Sequence, residues 1–139
     1  MRVLVTGSRL WINVAALEWQ LVRLVRRVGR PCDVLLVHGA CPRGADHLAD
    51  RFARSIGMGI ERHPADWNTW GKAAGFRRNS EMVALGADIC LAFIANGSRG
   101  ASMTADLAIQ AGIPTYIFEE KKCLTTAMTT AVAVTIAST

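Results

Sequence analysis

Four short segments of this 139-residue sequence hold the side chains suited to gripping phosphate. Gly7-Ser8-Arg9 joins a residue that permits a tight turn to a hydroxyl and to a guanidinium fork that can take a phosphate through two parallel hydrogen bonds. His38-Gly39-Ala40-Cys41-Pro42-Arg43-Gly44-Ala45-Asp46 sets two glycines before a helical pattern, so backbone amides and a helix N-terminus are available to an anion. Asp46 suits either a ribose hydroxyl or the dipole of that helix. Pro64-Ala65-Asp66-Trp67 followed by Gly71 to Asn79 mixes Lys72, Arg78 and Asn79 with an aromatic ring, as a phosphate clamp beside a base-stacking surface requires. Asn96-Gly97-Ser98-Arg99-Gly100-Ala101-Ser102 again places glycines before a helix.

Hydrolysis would add a demand for a carboxylate, and Asp46, Asp66 and Glu81 are the candidate catalytic acids. The ligand-binding set is Gly7, Ser8, Arg9, His38, Gly39, Gly44, Ala45, Asp46, Asp66, Trp67, Lys72, Arg78, Asn79, Ser98, Arg99 and Gly100. On this reading Arg78→Ala weakens ligand binding with little change in melting temperature. Gly44→Val should abolish binding before it abolishes folding, because a branched side chain obstructs the amide-lined approach.

These segments need a scaffold that brings them to one edge. Arg2 to Gly7 and Val34 to Gly39 are apolar runs stopped by glycine, the pattern of strands buried on both faces. Between them, Val14, Leu17, Leu21, Leu24, Val25 and Val28 recur at helical spacing behind Asn13, a suitable N-cap. Ala45, Leu48, Ala49, Phe52 and Ile56 trace a second helix closed by Gly57. Ile60 to Pro64, Ile89 to Ala95 and Pro114 to Phe118 read as three further strands. Asn79 to Leu85 belongs to a third helix, and a fourth runs to Gly112. The stretch from Pro64 to Asn79 reads as a long loop, uncommon in a compact domain unless functional.

Strands alternating with helices predict an α/β, Rossmann-like three-layer sandwich around a mainly parallel sheet of five strands or slightly more. Ligands of such sheets bind beyond the carboxyl ends of the strands, where strand order reverses. Residues 1–118 form this domain. Residues 119–139 are an extension, either an edge strand or disordered, and the apolar alternation from Ala131 to Ile136 favours an edge strand at a subunit contact. Among the aromatics, Trp19, Phe52, Phe93 and Phe118 suit the core or an interface. Trp11 suits a lid or a packing contact.

Composition narrows the function. A chain that is 51% hydrophobic and 19% charged has the makings of a packed core. The formal charge is +5, but the sixteen lysines and arginines are scattered, which favours small phosphorylated ligands over nucleic acid. His38, Cys41 and His47 lack the paired cysteine knuckle of structural zinc sites, so no metal or other cofactor is expected. No apolar stretch is long enough to span a membrane, and the first apolar run is too short for a signal peptide, so the expected location is the cytoplasm with Cys32, Cys41, Cys90 and Cys123 reduced.

Taken together, the GSR, HGACPRGAD, HPADW, GKAAGFRRNSEM and CLAF…SRG segments resemble the YspA-related branch of the SLOG superfamily, which includes the DNA-processing protein Smf and the cytokinin-activating LOG enzymes. The resemblance runs from Met1 to about Phe118. It implies a Rossmann-like domain, frequent homo-oligomers, and the binding or processing of nucleotides or nucleotide-derived signals. LOG enzymes cleave the N-glycosidic bond of nucleoside monophosphates with an arginine and a glutamate from a GGxGTxxE loop. Aligned with that loop, Ser98-Arg99-Gly100-Ala101 places Thr104 where the glutamate would stand, and Asp106 lies two residues beyond. The first expectation is therefore a sensor or sequestering protein with Arg9, Lys72, Arg78 and Arg99 on phosphates. The second is a hydrolase of an N-glycosidic or phosphate bond in the same ligand. The third, a DNA-binding protein like Smf, would bind with steep salt dependence.

Overall fold

The computed structural model describes residues 1–120 and 132–137. Strands β1 (Arg2–Gly7), β2 (Leu35–His38), β3 (Gly59–Arg62), β4 (Ile89–Ala95), β5 (Thr115–Glu120) and β6 (Val132–Ala137) form one sheet in the order β3-β2-β1-β4-β5-β6. The first five are parallel, and β6 joins antiparallel to β5 at the edge. The segment 121–131, most of the Thr/Ala-rich tail, lies outside the described residues.

Apolar periodicity accounts for the layers. Helices α1 (Val14–Val28) and α2 (Ala45–Ile56) bury Leu17, Leu21, Ala49 and Ala53 against Val3, Val5, Leu36, Leu91 and Phe93. On the other side α4 (Ala74–Ala84) and α5 (Arg99–Gln110) set Met82, Val83 and Ala108 against Leu4, Val37 and Cys90. Alternate residues of β1 therefore serve different faces, which is why the run reads as continuously apolar. Asn13 caps α1 by accepting the Ala16 N–H at 3.0 Å. Gly57, at φ +81°, ends α2 in the left-handed conformation. Among the described residues, no helix is long and apolar enough to cross a membrane.

The stretch from Pro64 to Asn79 is not a loop. It folds into α3 (Trp67–Trp70), a 3-10 turn at Gly71–Ala73 and the first half of α4. Asp66 starts α3 by accepting the Thr69 N–H at 3.1 Å. Gly75 lies beneath the Trp67 ring, which passes 3.3 Å from where a Cβ would sit. A glycine required for that approach also weakens the helical pattern, which hides the start of α4 in the sequence.

The aromatics divide. Trp11 is 1% exposed, lies 5.2 Å centroid to centroid from Phe93, and donates its indole N–H to the Asn13 carbonyl at 3.0 Å. It is a core residue and not a lid. Phe93 stacks on Phe118 at 5.1 Å, whereas Trp19 is exposed on α1 with the Arg26 guanidinium 5.6 Å above its ring.

Candidate functional site

A cleft of about 430 Å³ opens at the carboxyl edge of the sheet between β1 and β4. There the chain, having added β2 and β3 on one side of β1, crosses over to build β4 and β5 on the other. The connections after β1 and β4 consequently leave on opposite faces and part to form a crevice. The cleft collects Gly7, Ser8, Arg9, Gly39, Asp46, Trp67, Arg78, Asn79, Ser98 and Gly100 from the predicted set. His38, Gly44, Ala45, Asp66, Lys72 and Arg99 do not line it, nor does Glu81.

Ser8 holds the cleft floor together. Its hydroxyl donates to the Ala95 carbonyl at 3.1 Å and accepts the Ala95 N–H at 2.8 Å, while its own N–H bonds Phe93 at 2.8 Å. The side chain therefore ties β1 to β4 and is committed within the protein.

The connection after β2 is shaped from beneath. His38 is buried; its Nδ1 accepts the Ala40 N–H at 3.1 Å, which assigns the proton to Nε2, 2.8 Å from Asp50. Asp50 also pairs with Arg62 at 2.7 Å and Arg54 at 2.8 Å. Burial opposes its charge, but the hydrogen bonds from Arg62 and His38 outweigh that and hold the carboxyl below its ordinary range. The result is a braced turn in which Ala40 sits at φ +56°. Asp50 was not foreseen, because nothing in sequence marks one helical aspartate as the partner of His38.

Gly44 and Ala45 serve this packing. Gly44 has φ +73°, and a Cβ there would overlap the Ser8 carbonyl and the Arg9 backbone. The Ala45 N–H donates to Ser8 at 3.2 Å, and the Ala45 methyl fills the space that Gly7 leaves open. Asp46, 6% exposed, reaches the cleft wall and accepts the Cys41 N–H at 3.2 Å. Burial pushes its carboxyl above the usual range, against the pull of that amide and of Arg78.

Arg78 rises from α4. Nε donates to Asn79 Oδ1 at 2.7 Å, and Nη1 reaches the carbonyls of Gly39 and, at 3.3 Å, His63. Gly39 leaves room for the guanidinium, which an added Cβ would force to shift. Burial lowers the pKa of Arg78, with the Asp46 charge opposing. Asp66 is spent as the cap of α3, where hydrogen bonds from the Thr69 side chain and then its amide hold the carboxyl low.

On the opposite face, Asn96 (φ +52°) and Gly97 (φ +66°) turn the chain sharply out of β4 and start α5 at the cleft. Ser98, its N-cap, makes no side-chain capping bond, and the space around Gly100 is open. The first amides of α5, which have no intrahelical acceptors, sit where the helix dipole is positive. Thr104 is fully buried and donates to the Gly100 carbonyl at 2.9 Å, while Asp106 is exposed on the far side. Neither supplies the carboxylate of a LOG-type loop. Sequence reasoning left Phe76, Cys41, Asn96 and Met103 out of the site, although all line the cleft. The i, i+3 spacing from Ala73 to Phe76 was the available signal, obscured by Gly75.

A family model described as YAcAr, the YspA, cpYpsA-related SLOG family, matches residues 1–70, which carry the connections after β1 and β2. The Gene 61 protein of Mycobacterium phage D29 is 43% identical over 125 residues, covering 86% of this chain and 98% of that protein. This chain belongs to the YspA, cpYpsA-related SLOG family, which associates it with nucleotide-related ligand binding or modification.

Proposed function

We propose that this protein binds a nucleotide or nucleotide-derived small molecule in the cleft between β1 and β4, as a sensor or sequestering protein. The observation that carries the reading is the open start of α5 and the half-buried guanidinium of Arg78 lining one cleft at the reversal of strand order. Helix amides and a fixed guanidinium are complementary to phosphate. Trp67 and Phe76, both about half exposed on the same cleft, offer faces for a base. Lys72 and Arg99, which do not line it, act at most through the long-range field.

The test is a panel of nucleoside phosphates, ADP-ribose and cyclic dinucleotides, followed by thermal shift and by chromatography of products. A shift without products supports this reading, and silence across the panel overturns it. Asp46 favours a second reading, hydrolysis, because a buried carboxyl held toward its neutral form on the cleft wall is suited to general acid work. Released products that disappear in Asp46→Asn would establish it. The same proposal includes a cytoplasmic location and assembly of copies through β6, whose Val134 and Ile136 are 54% and 64% exposed on an edge strand.

A further inference from the structure

Beside the cleft lies a second hollow of about 390 Å³, lined by Arg9, Cys41, Pro42, Arg43 and Trp67. Arg9, Cys41 and Trp67 line both spaces. The hollow has two arginines and no carboxylate in its lining. Among the described residues neither Arg9 nor Arg43 makes an ion pair.

Their proximity is built into the backbone. Gly44 packs against the Ser8 carbonyl and the Arg9 backbone, so Arg43 and Arg9 enter the hollow from touching segments. Pro42 restricts the chain just before Arg43, and the Ala45 N–H to Ser8 bond fixes it just after. Two arginines thus line one hollow from adjoining backbone segments, and Arg9 also acts on Arg78 as a like charge. A lining with two arginines and no carboxylate is complementary to an anion.

Building on the binding reading above, we propose that the ligand carries a second phosphate, lodged between Arg9 and Arg43, in addition to the one received by α5 and Arg78. The cleft, at about 430 Å³, falls near the lower end of small-molecule sites and suits one nucleoside phosphate. The hollow adds comparable room for a second phosphate-bearing part, with the Trp67 ring forming a wall shared by both. The second phosphate can be joined through a pyrophosphate link or as a separate ester.

Titration calorimetry at fixed salt, with AMP, ADP-ribose and adenosine 3′,5′-bisphosphate on the parent protein and Arg43→Ala, tests this. At least one doubly phosphorylated probe should bind about tenfold or more tighter than AMP, as one charge-assisted contact allows. Arg43→Ala should erase that advantage while leaving AMP within about twofold and the melting temperature unchanged, since Arg43 is exposed. A gain confined to ADP-ribose identifies the pyrophosphate link, and one confined to the bisphosphate identifies the separate ester. If AMP binds but neither larger probe gains, or if Arg43→Ala weakens all three equally, the second subsite is overturned and the cleft stands. If none of the three binds, the underlying reading falls with it.

Discussion

The starts of α2 and α5 look alike in sequence and differ in what they do. Each follows a buried strand through a glycine-bearing turn, and each therefore promises backbone donors for an anion. At α2 the promise is already used: Ala45 donates to Ser8, Gly44 packs on Ser8 and Arg9, and Asp46 occupies the dipole's positive end. At α5 the cap side chain is idle and Gly100 faces open space. A glycine before a helix thus has two distinct uses, close approach of the protein to itself and close approach of a ligand. The packing around the missing Cβ separates them.

Gly44→Val gives the largest effect and breaks the comparison if it fails. A valine at φ +73° is strained by about 1–3 kcal/mol, and overlap with Ser8 and Arg9 adds a similar amount. Folding and binding should be lost together, in contrast with the sequence-based expectation that binding fails first. Urea unfolding checks it, and a variant with the parent's midpoint would show that α2 is not anchored as described.

Gly100→Glu should do the reverse. Nothing lies within 4 Å of the added Cβ, and an acid in the first turn of a helix gains about 0.3–1 kcal/mol from the dipole, so the melting temperature should hold or rise. A carboxylate in the proposed phosphate seat should nonetheless weaken AMP binding about a hundredfold, since apposed like charges cost several kcal/mol. Unchanged AMP affinity would put the phosphate elsewhere.

What the sequence disclosed follows from the same distinction. The parallel sheet, its order of elements and the edge where the cleft opens were legible because Val3 to Val5 and Ile89 to Ala95 are apolar runs whose burial leaves few alternatives. Ten predicted ligand residues do line the cleft, because strand ends are marked by glycine. Gly44, Ala45 and Asp66 resemble ligand groups by type, but their partners are protein atoms distant in sequence or a local cap. Phe76 was hidden by Gly75, and α3 by a run whose only helix signal is the Asp66 cap. Long-range pairing, as between His38 and Asp50, leaves no local trace.

Arg78 spans both uses at once, and its substitution sharpens the contrast. The sequence alone anticipates binding loss with little change in stability, yet Arg78 also holds the carbonyls of Gly39 and His63. Arg78→Ala should therefore cost about 1–2 kcal/mol of stability as well as about tenfold or more in AMP affinity. Arg78→Lys should recover part of the affinity through charge but little of the stability, because a point charge does not reproduce the fork. Equal affinity of alanine variant and parent would remove Arg78 from the site.

Asp46→Asn carries the smallest effect and the sharpest sign. The unfolded carboxyl titrates near its ordinary value of 3.8, and burial raises it in the fold, so folding disfavours the ionised form. That penalty is fully present above the folded pKa and vanishes below about 3.8. Asparagine has no charge to bury and its side-chain oxygen can still accept the Cys41 N–H, so the variant should be as stable as the parent or slightly more so at neutral pH. The difference should start to shrink as the pH falls through the folded value and be gone below about 3.8. A gap that widens on acidification would mean that Asp46 is stabilised as an anion, and the start of α2 would then be a charged anchor rather than a buried acid facing the cleft.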